Sequence, residues 1–353
     1  MSIVFAILLF SVLIFVHEFG HFIAAKLSGV QVNEFSMFMG PALLKWQRGE
    51  TLYSIRCIPI GGYCAMEGED GESENPRAFG KAAWWKRLII LIAGSAMNFL
   101  TAILIFAIVY MPMQYVTEPV ITEFADCCTF NHEDGLHLGD EILEIDGEKV
   151  YINSDVSLLL TLNTTGTHDL LILRDGQKLV FEDYQMAHAH TDENGESYSH
   201  YGLSVGEAKP AGFLSKMDFI WKLTIDNVRN TRLSLQMLLR GQAKASDITG
   251  VVGIVGMMSD VADASETTFD ALMNMLNFGG FIAVNLAVMN LLPIPALDGG
   301  RAVCLILTTV VERVIGRKLN PKYEGYLHSI GLILLLVLMA LIMFKDIFVI
   351  IKG

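Results

Sequence analysis

The chain has 353 residues, of which 52% are hydrophobic and only 18% carry a charged side chain. Ordinary soluble domains carry about 25% charged residues, so this composition argues against a disordered or wholly water-soluble protein. The formal net charge is −13, which argues against nucleic-acid binding, because Lys and Arg are needed to neutralise phosphates. The five cysteines predict neither a disulfide framework nor a CxxC metal site. The composition predicts a membrane protein with a soluble insertion.

Four apolar segments are each long enough to cross a bilayer, which takes about 20 helical residues. They are predicted over residues 3–27, 88–113, 278–297 and 327–351. The first segment has no basic n-region and no cleavage site made of small residues. It therefore predicts a retained span rather than a removed signal peptide.

The short connections after the first and third spans are rich in Lys and Arg, which predicts that both face the cytoplasm. The first connection carries Lys26, Lys45, Arg48, Arg56, Arg77, Lys81, Lys86 and Arg87, and the third carries Arg301, Arg313, Arg317, Lys318 and Lys322. Both termini and the long middle segment, residues 114–277, are then expected on the extracytoplasmic side.

The first span contains the sequence HEFGH at residues 17–21. Positions i and i+4 share one face of a helix, so His17 and His21 can present their imidazoles to one zinc ion. Glu18 can then act as general base toward the attacking water. The alternative is a pair of structural histidines held by neighbouring helices. Ionisable groups inside a bilayer span are costly and functional by default, which favours the zinc site.

A catalytic zinc site needs a third protein ligand, and Asp298 is the candidate. It is the only carboxylate between residues 270 and 312, and we place it at the cytoplasmic end of the third span, at the depth expected for the histidines. Pro293 and Pro295 break the helix before it and free backbone groups to line a cavity. The alternative is an ordinary Asp-Gly-Gly turn at the membrane surface.

Together these motifs resemble the site-2 protease family of intramembrane zinc metalloproteases, in particular its bacterial sigma-E-protease branch. The matching segments are residues 17–21, 38–41, 49–53, 58–63, 66–68 and 290–299. The resemblance implies zinc bound by His17, His21 and Asp298, with Glu18 as the base. It also implies a small membrane-re-entrant β-element near residues 50–68, beside the active site.

Two amides, Asn98 in the second span and Asn290 in the third, must find hydrogen-bond partners in the membrane. One interpretation is that they join neighbouring helices. The resemblance implies another, in which they hold the substrate backbone or the oxyanion. The chain departs from the family pattern at Ser95 and Val251, where proline is usual, although neither position is a metal ligand.

The middle segment contains residues 135–147, which resemble the most recognisable part of a bacterial PDZ domain. A strand ending in an Asp-Gly turn is predicted at residues 142–147, and a hairpin at residues 170–181. One PDZ-like domain is therefore expected over residues 120–203. It either binds an extended peptide by strand addition or acts as a steric filter without a ligand. Residues 125–134 replace the usual Pro-Ala-rich lead-in of such a domain.

Two further features of the middle segment are predicted to have no catalytic role. His188, His190 and His200 invite a second metal site, but their polar surroundings favour a solvated loop. Apolar positions recur at helical spacing over residues 211–237, which predicts an amphipathic helix at the outer membrane surface.

The sequence thus predicts a polytopic α-helical membrane protein with four transmembrane helices, a membrane-re-entrant β-element and an inserted extracytoplasmic PDZ-like α+β domain. Its predicted divisions are an N-terminal membrane half (1–113), the PDZ-like domain (120–203), an amphipathic connector (211–277) and a C-terminal membrane half (278–353).

The activity implied by the resemblance is zinc-dependent cleavage of peptide bonds in or near transmembrane segments, in the bacterial cytoplasmic (inner) membrane. Anti-sigma factors and remnant signal peptides are the implied substrates. One rival is an intramembrane metal transporter, which has no need of a base such as Glu18. Another is a PDZ-based membrane scaffold without catalysis, and the intact set of ligands and base argues against it.

Overall fold

Four helices of the described chain are long and apolar enough to cross a membrane, which confirms the four predicted spans. The structure, a computed structural model, describes residues 2–69, 71, 73–125, 135–163, 165–191, 197–242, 250–317 and 322–352. The four helices are α1 (Ser2–Ser28), α2 (Trp84–Tyr110), α6 (Thr268–Asn290) and α8 (Lys322–Lys352). Their many exposed Leu, Ile and Val side chains suit a lipid environment rather than water.

The third span differs from the prediction at both ends. It begins at Thr268, because the side chain of Thr267 accepts a hydrogen bond from the backbone N–H of Asp270 and caps the helix. It ends at Asn290, shortly before Pro293, which cannot continue a helix. The prediction that Asp298 ends this span is therefore wrong: Asp298 is the first residue of a separate helix, α7 (Asp298–Ile315).

Contacts divide the chain into two units, residues 1–109 with 230–353 and residues 110–229. We call the first the membrane unit and the second the inserted unit. The membrane unit contains the four spans, α7, and α5 (Val251–Asp263).

The β-element of the membrane unit consists of two long strands, β1 (Val32–Arg48) and β2 (Thr51–Met66). Both strands bend, so that the register gives four segments in the order 58–66, 32–39, 52–56 and 42–48. The outer pairings are antiparallel, whereas in the central pairing both residue numbers rise together, from Glu34 with Leu52 to Met37 with Ile55. The element is thus larger than the stretch near residues 50–68 that the sequence indicated.

Aromatic side chains hold this β-element against α1. Phe35 of β1 packs against Phe15 and Phe22 of α1, with ring centroids 5.7 and 4.9 Å apart. Tyr53 of β2 packs against Phe22 at 6.0 Å. Such pairs add to the free energy gained by burying the rings, and they fix β1 and β2 beside the helix that carries the HEFGH motif.

The inserted unit contains a mixed structure of strands and helices. Its strands are β3 (Tyr115–Phe124), β4 (Glu141–Ile145), β5 (Glu148–Lys149), β6 (Thr167–Arg174), β7 (Gln177–Gln185), β8 (His188–Thr191), β9 (Ser197–His200) and β10 (Leu203–Pro210), and a helix, α3 (Asn153–Leu162), precedes β6. The main sheet has the order β10-β3-β4-β6-β7, with β5 on β4. The predicted strand at 142–145 and hairpin at 170–181 are present as β4 and as β6 with β7.

Three other sequence predictions for this region have different outcomes. The prediction of a loop around His188 and His190 is wrong, because β8 and β9 form an antiparallel ladder in which His188 pairs with His200. The helix predicted over residues 211–237 is present as α4 (Phe213–Leu239). The unusual lead-in at 126–134, including Cys127 and Cys128, lies outside the described residues.

Candidate metal centre

The two histidines of the HEFGH motif lie on one face of α1, as their spacing predicts. Their Nε2 atoms are 3.2 Å apart, and both rings sit in the membrane unit, where His21 is buried. One turn of helix separates positions i and i+4, so the two imidazoles meet without distortion of the backbone.

The loop between α6 and α7 brings Asp298 to the same point. Its Oδ2 atom lies 3.0 Å from Nε2 of His17 and 3.2 Å from Nε2 of His21. The loop is tight, since a Cβ added at Gly299 would lie 2.2 Å from the carbonyl oxygen of Leu291. The Asp-Gly-Gly sequence therefore combines a candidate ligand, Asp298, with the small residue that its approach requires.

These three side chains form the one group with metal-ligating atoms close together among the described residues that could be searched. The distances between the three atoms, 3.0, 3.2 and 3.2 Å, describe an almost equilateral triangle. Tetrahedral zinc with bonds of about 2.0–2.1 Å separates its ligand atoms by about 3.3 Å. Two imidazoles and a carboxylate in this arrangement fit a catalytic zinc ion, which keeps a fourth position open.

The helix α2 fixes the orientation of His21. Its Nδ1 lies 2.8 Å from the carbonyl oxygen of Ile90, which can only accept, so Nδ1 carries the proton and donates it. The lone pair of Nε2 then points into the triangle. Zinc-binding histidines are usually oriented in this way through their other ring nitrogen.

Two glycines allow α1 and α2 to approach closely enough for this contact. A Cβ at Gly94 of α2 would lie 2.4 Å from Nε2 of His21 and 2.7 Å from Cε1 of His17. A Cβ at Gly20 of α1 would lie 2.4 Å from the carbonyl oxygen of Ala93. Small residues at helix crossings are typical of membrane proteins, and here they leave room for the imidazoles.

Glu18 lies between the metal-ligating triangle and β2. It is close enough to His17, His21 and Asp298 to interact with all three electrostatically. On its other side, a Cβ at Gly62 of β2 would lie 3.4 Å from its Cγ. Gly62 therefore brings one face of β2 next to the side chain of Glu18.

The two amides of the sequence analysis lie in different surroundings. Asn98 of α2 is buried, and its Nδ2 lies 3.4 Å from Nδ1 of His17. Asn290 is the half-buried last residue of α6, and its role stays a prediction. The sequence analysis did not identify Gly94 or the carbonyl of Ile90 as part of the site. Gly94 could have been found, because a glycine within an apolar span indicates a close helix contact.

Comparisons with known proteins agree with this geometry. Residues 5–338 match the model of Peptidase family M50. A Clostridium acetobutylicum protein named as a zinc metalloprotease is 34% identical over 346 residues, which cover 98% of this chain and 97% of the relative. One from Clostridium perfringens is 34% identical over 98% of both chains. The regulator of sigma-W protease RasP of Bacillus subtilis is 27% identical over 97% of both chains.

Proposed function

The chain belongs to peptidase family M50 and is a multi-pass membrane zinc metalloprotease of the site-2 type, and from this premise we propose that it cleaves other membrane proteins within or beside their transmembrane segments. The observation that carries the proposal is the triangle of His17, His21 and Asp298, two corners of which belong to a membrane-spanning helix. A protease centre at that place meets substrates that lie in the bilayer.

In the proposed mechanism, His17, His21 and Asp298 hold the zinc ion and Glu18 moves the proton. When bound, zinc supplies Lewis-acid polarisation of the scissile carbonyl and lowers the pKa of the attacking water to about 7. Glu18 takes the proton of that water and delivers it to the leaving amine. The carbonyl of Ile90 keeps His21 in the tautomer that leaves Nε2 free for the metal.

A substrate helix must unwind before it can be cleaved, because its carbonyl groups are engaged in hydrogen bonds. We propose that the unwound segment pairs with the segment 58–66 of β2. That segment is an edge of the β-element, and its Gly62 lies next to the side chain of Glu18. An unpaired edge offers N–H and C=O groups to an added strand. Asn290 is proposed to hold the substrate backbone or the oxyanion, as the family resemblance suggests.

The proposed setting is the bacterial cytoplasmic membrane, with both termini and the inserted unit outside the cytoplasm. This orientation rests on Lys and Arg in the first and third connections. The proposed substrates are anti-sigma factors or remnant signal peptides. The relative named regulator of sigma-W protease RasP supports the first. The inserted unit is proposed to be a PDZ-like domain that selects these substrates.

Replacing Glu18 with Gln tests the proposed mechanism. The change removes the base but keeps the size and polarity of the side chain, so we expect cleavage to fall by about 100–10,000-fold while zinc content stays unchanged. Mass spectrometry of membrane peptides that accumulate in cells carrying Glu18→Gln identifies the substrates. A metal transporter would keep its transport with Gln at this position, and that result would refute the proposal.

A further inference from the structure

Asn98 faces the ring nitrogen of His17 that points away from the metal-ligating triangle. Its Nδ2 lies 3.4 Å from Nδ1 of His17. Its Oδ1 is buried and has no hydrogen-bond partner within the part of the chain that the structure describes. Asn98 is only 1% exposed, so water does not readily satisfy this oxygen, and leaving it unpaired is costly.

The position of the proton on His17 conflicts with this arrangement. Its Nε2 faces Oδ2 of Asp298 and Nε2 of His21, so a metal ion in the triangle takes the lone pair of Nε2. A neutral imidazole then carries its proton on Nδ1. Two N–H groups, Nδ1–H of His17 and Nδ2–H of Asn98, would point at each other.

One rotation removes both difficulties. Turning the amide of Asn98 by 180° exchanges its nitrogen and oxygen, which occupy nearly equivalent positions and are assigned from their hydrogen-bond partners. We infer that Asn98, in the zinc-bound protein, accepts a hydrogen bond from Nδ1–H of His17 and thereby positions this ligand. The inference rests on the proposed ligand set.

The same helix then orients both histidine ligands. The carbonyl oxygen of Ile90 accepts from Nδ1 of His21, and the amide oxygen of Asn98 accepts from Nδ1 of His17, two turns further along α2. Gly94 lies midway, where the rings touch the helix. Asn98 is thus a positioning residue that acts through His17, rather than a group that holds the substrate or the oxyanion.

Ser95 provides a matched control on α2. It is 1% exposed, as Asn98 is, and its Oγ also has no partner in the described residues. Ser95→Ala and Asn98→Leu therefore both remove a buried polar group from α2. Only the second removes the acceptor that faces His17.

The test is the zinc dissociation constant of the full-length purified protein in detergent, measured by competition with a chromophoric chelator. We expect Asn98→Leu to weaken zinc binding by about 10–100-fold, as changes to groups that orient ligands do. Asn98→Asp keeps an acceptor and loses the N–H donor, so its affinity should equal or exceed that of the wild type. Ser95→Ala should leave the affinity unchanged.

Asn98→Asp decides the direction of the hydrogen bond even if Asn98→Leu does not fold. Zinc binding that is weakened in Asn98→Asp would mean that Asn98 donates, and would overturn the inference. So would wild-type affinity in a folded Asn98→Leu. A purely structural role would lower the melting temperature of the metal-free protein without this split in zinc affinity. His17→Ala tests the ligand set separately. If His17→Ala retains zinc, the proposed function and this inference both fail. If His17→Ala loses zinc while Asn98→Leu still binds it tightly, only the inference is refuted.

Discussion

At the scale of single residues, Gly94 sets how the metal centre is built. Its missing side chain lets the imidazoles of His17 and His21 lie against the backbone of α2, where a Cβ would come within 2.4–2.9 Å of their atoms. Those distances are shorter than non-bonded atoms tolerate. The backbone at Gly94 is confined by its helix, and the imidazoles are confined by the metal that we propose they bind. A single methyl group here acts directly on ligand geometry.

We therefore expect Gly94→Ala to weaken zinc binding by at least 10-fold and to lower proteolysis accordingly, because the rings must shift away from Asp298. Zinc content after dialysis against a chelator measures the effect. Gly256→Ala in α5 is the matched control, since a Cβ there meets nothing within 4 Å among the described residues. Equal zinc retention in the two variants would show that the rings can shift without loss of the metal geometry.

The three proposed metal ligands, which the structure brings together, could be identified from sequence, whereas the groups that contact them could not. His17 and His21 stand out because their spacing matches the helical repeat, and Asp298 because carboxylates are rare near membrane spans. The carbonyl of Ile90 has no signature in the sequence, because every residue has a carbonyl. Asn98 was recognised as an amide in need of a partner, but only the distance to His17 indicates which partner it has.

At the scale of elements, the edge of β2 next to Glu18 is the feature with the clearest functional consequence. A substrate strand that pairs with segment 58–66 needs the outward backbone groups of that segment, and proline removes an N–H and fixes φ. Gly62 is the position in this segment where an added Cβ would lie 3.4 Å from Cγ of Glu18.

Gly62→Pro should reduce cleavage by at least 10-fold while zinc content stays unchanged. Gly62→Ala is the control for the added Cβ, because it keeps the N–H group. Leu43→Pro is the control for proline at an edge, because residues 42–48 form the opposite edge of the same β-element. Cleavage rates with a peptide substrate in detergent compare the three variants. The edge has no role in substrate binding if Gly62→Pro cleaves as fast as Gly62→Ala.

Glu50, in the turn between β1 and β2, anchors the β-element to α1. Its Oε1 accepts a hydrogen bond from Nη2 of Arg77 at 2.8 Å and another from Nζ of Lys26 at 2.7 Å. Hydrogen bonds from Arg77 and Lys26 lower the pKa of Glu50 from 4.5 to about 2. A carboxyl whose pKa is lower in the folded protein stabilises it above the unfolded pKa, and that contribution is lost as the pH falls from about 4.5 toward 2.

Glu50→Gln should therefore destabilise the protein by about 1 kcal/mol at neutral pH, the upper end for a partly exposed ion pair. The difference in melting temperature from the wild type should shrink as the pH falls below about 4.5. Thermal unfolding in detergent at several pH values measures it. A difference that persists unchanged at pH 3 would mean that the effect comes from packing and not from charge.

Element boundaries were predicted less well than element types, for identifiable reasons. The start of the third span was predicted about ten residues after its actual start at Thr268. The first turns of this helix contain polar residues, and the cap by Thr267 was not recognised. The strand β1 was missed, since its bends shift the register repeatedly and break the alternation of apolar and polar residues. The pairing of β8 with β9 depends on a partner strand, which local polarity does not reveal.

At the scale of the whole molecule, the predicted orientation separates the proteolytic centre from the inserted unit. Lys and Arg in the first and third connections predict that these two connections face the cytoplasm and that residues 114–277 lie outside. On this orientation we propose that the inserted unit contributes no group to the chemistry and that it selects which substrates enter. A substrate with a bulky extracytoplasmic domain would be excluded, whereas a trimmed one would pass.

Replacing residues 120–203 with a flexible bridge should therefore allow cleavage of untrimmed substrates, at a rate within about 10-fold of that for trimmed ones. Zinc content and dependence on Glu18 should be preserved, which shows that the shortened protein is folded. Cleavage of matched long and short substrates in membranes measures the change. Continued rejection of the long substrate by a zinc-loaded shortened protein would place selection in the membrane unit itself.

The metal centre joins residues that are far apart in the chain, since Asp298 lies 277 residues after His21. A ribosome therefore delivers α1 to the membrane well before α7 is made. The nascent chain thus carries both histidines and the base while it still lacks the carboxylate that completes the set. With the proposed ligand set, a copy whose synthesis stops before Asp298 is expected to lack the catalytic zinc site and to leave its neighbours in the bilayer uncleaved.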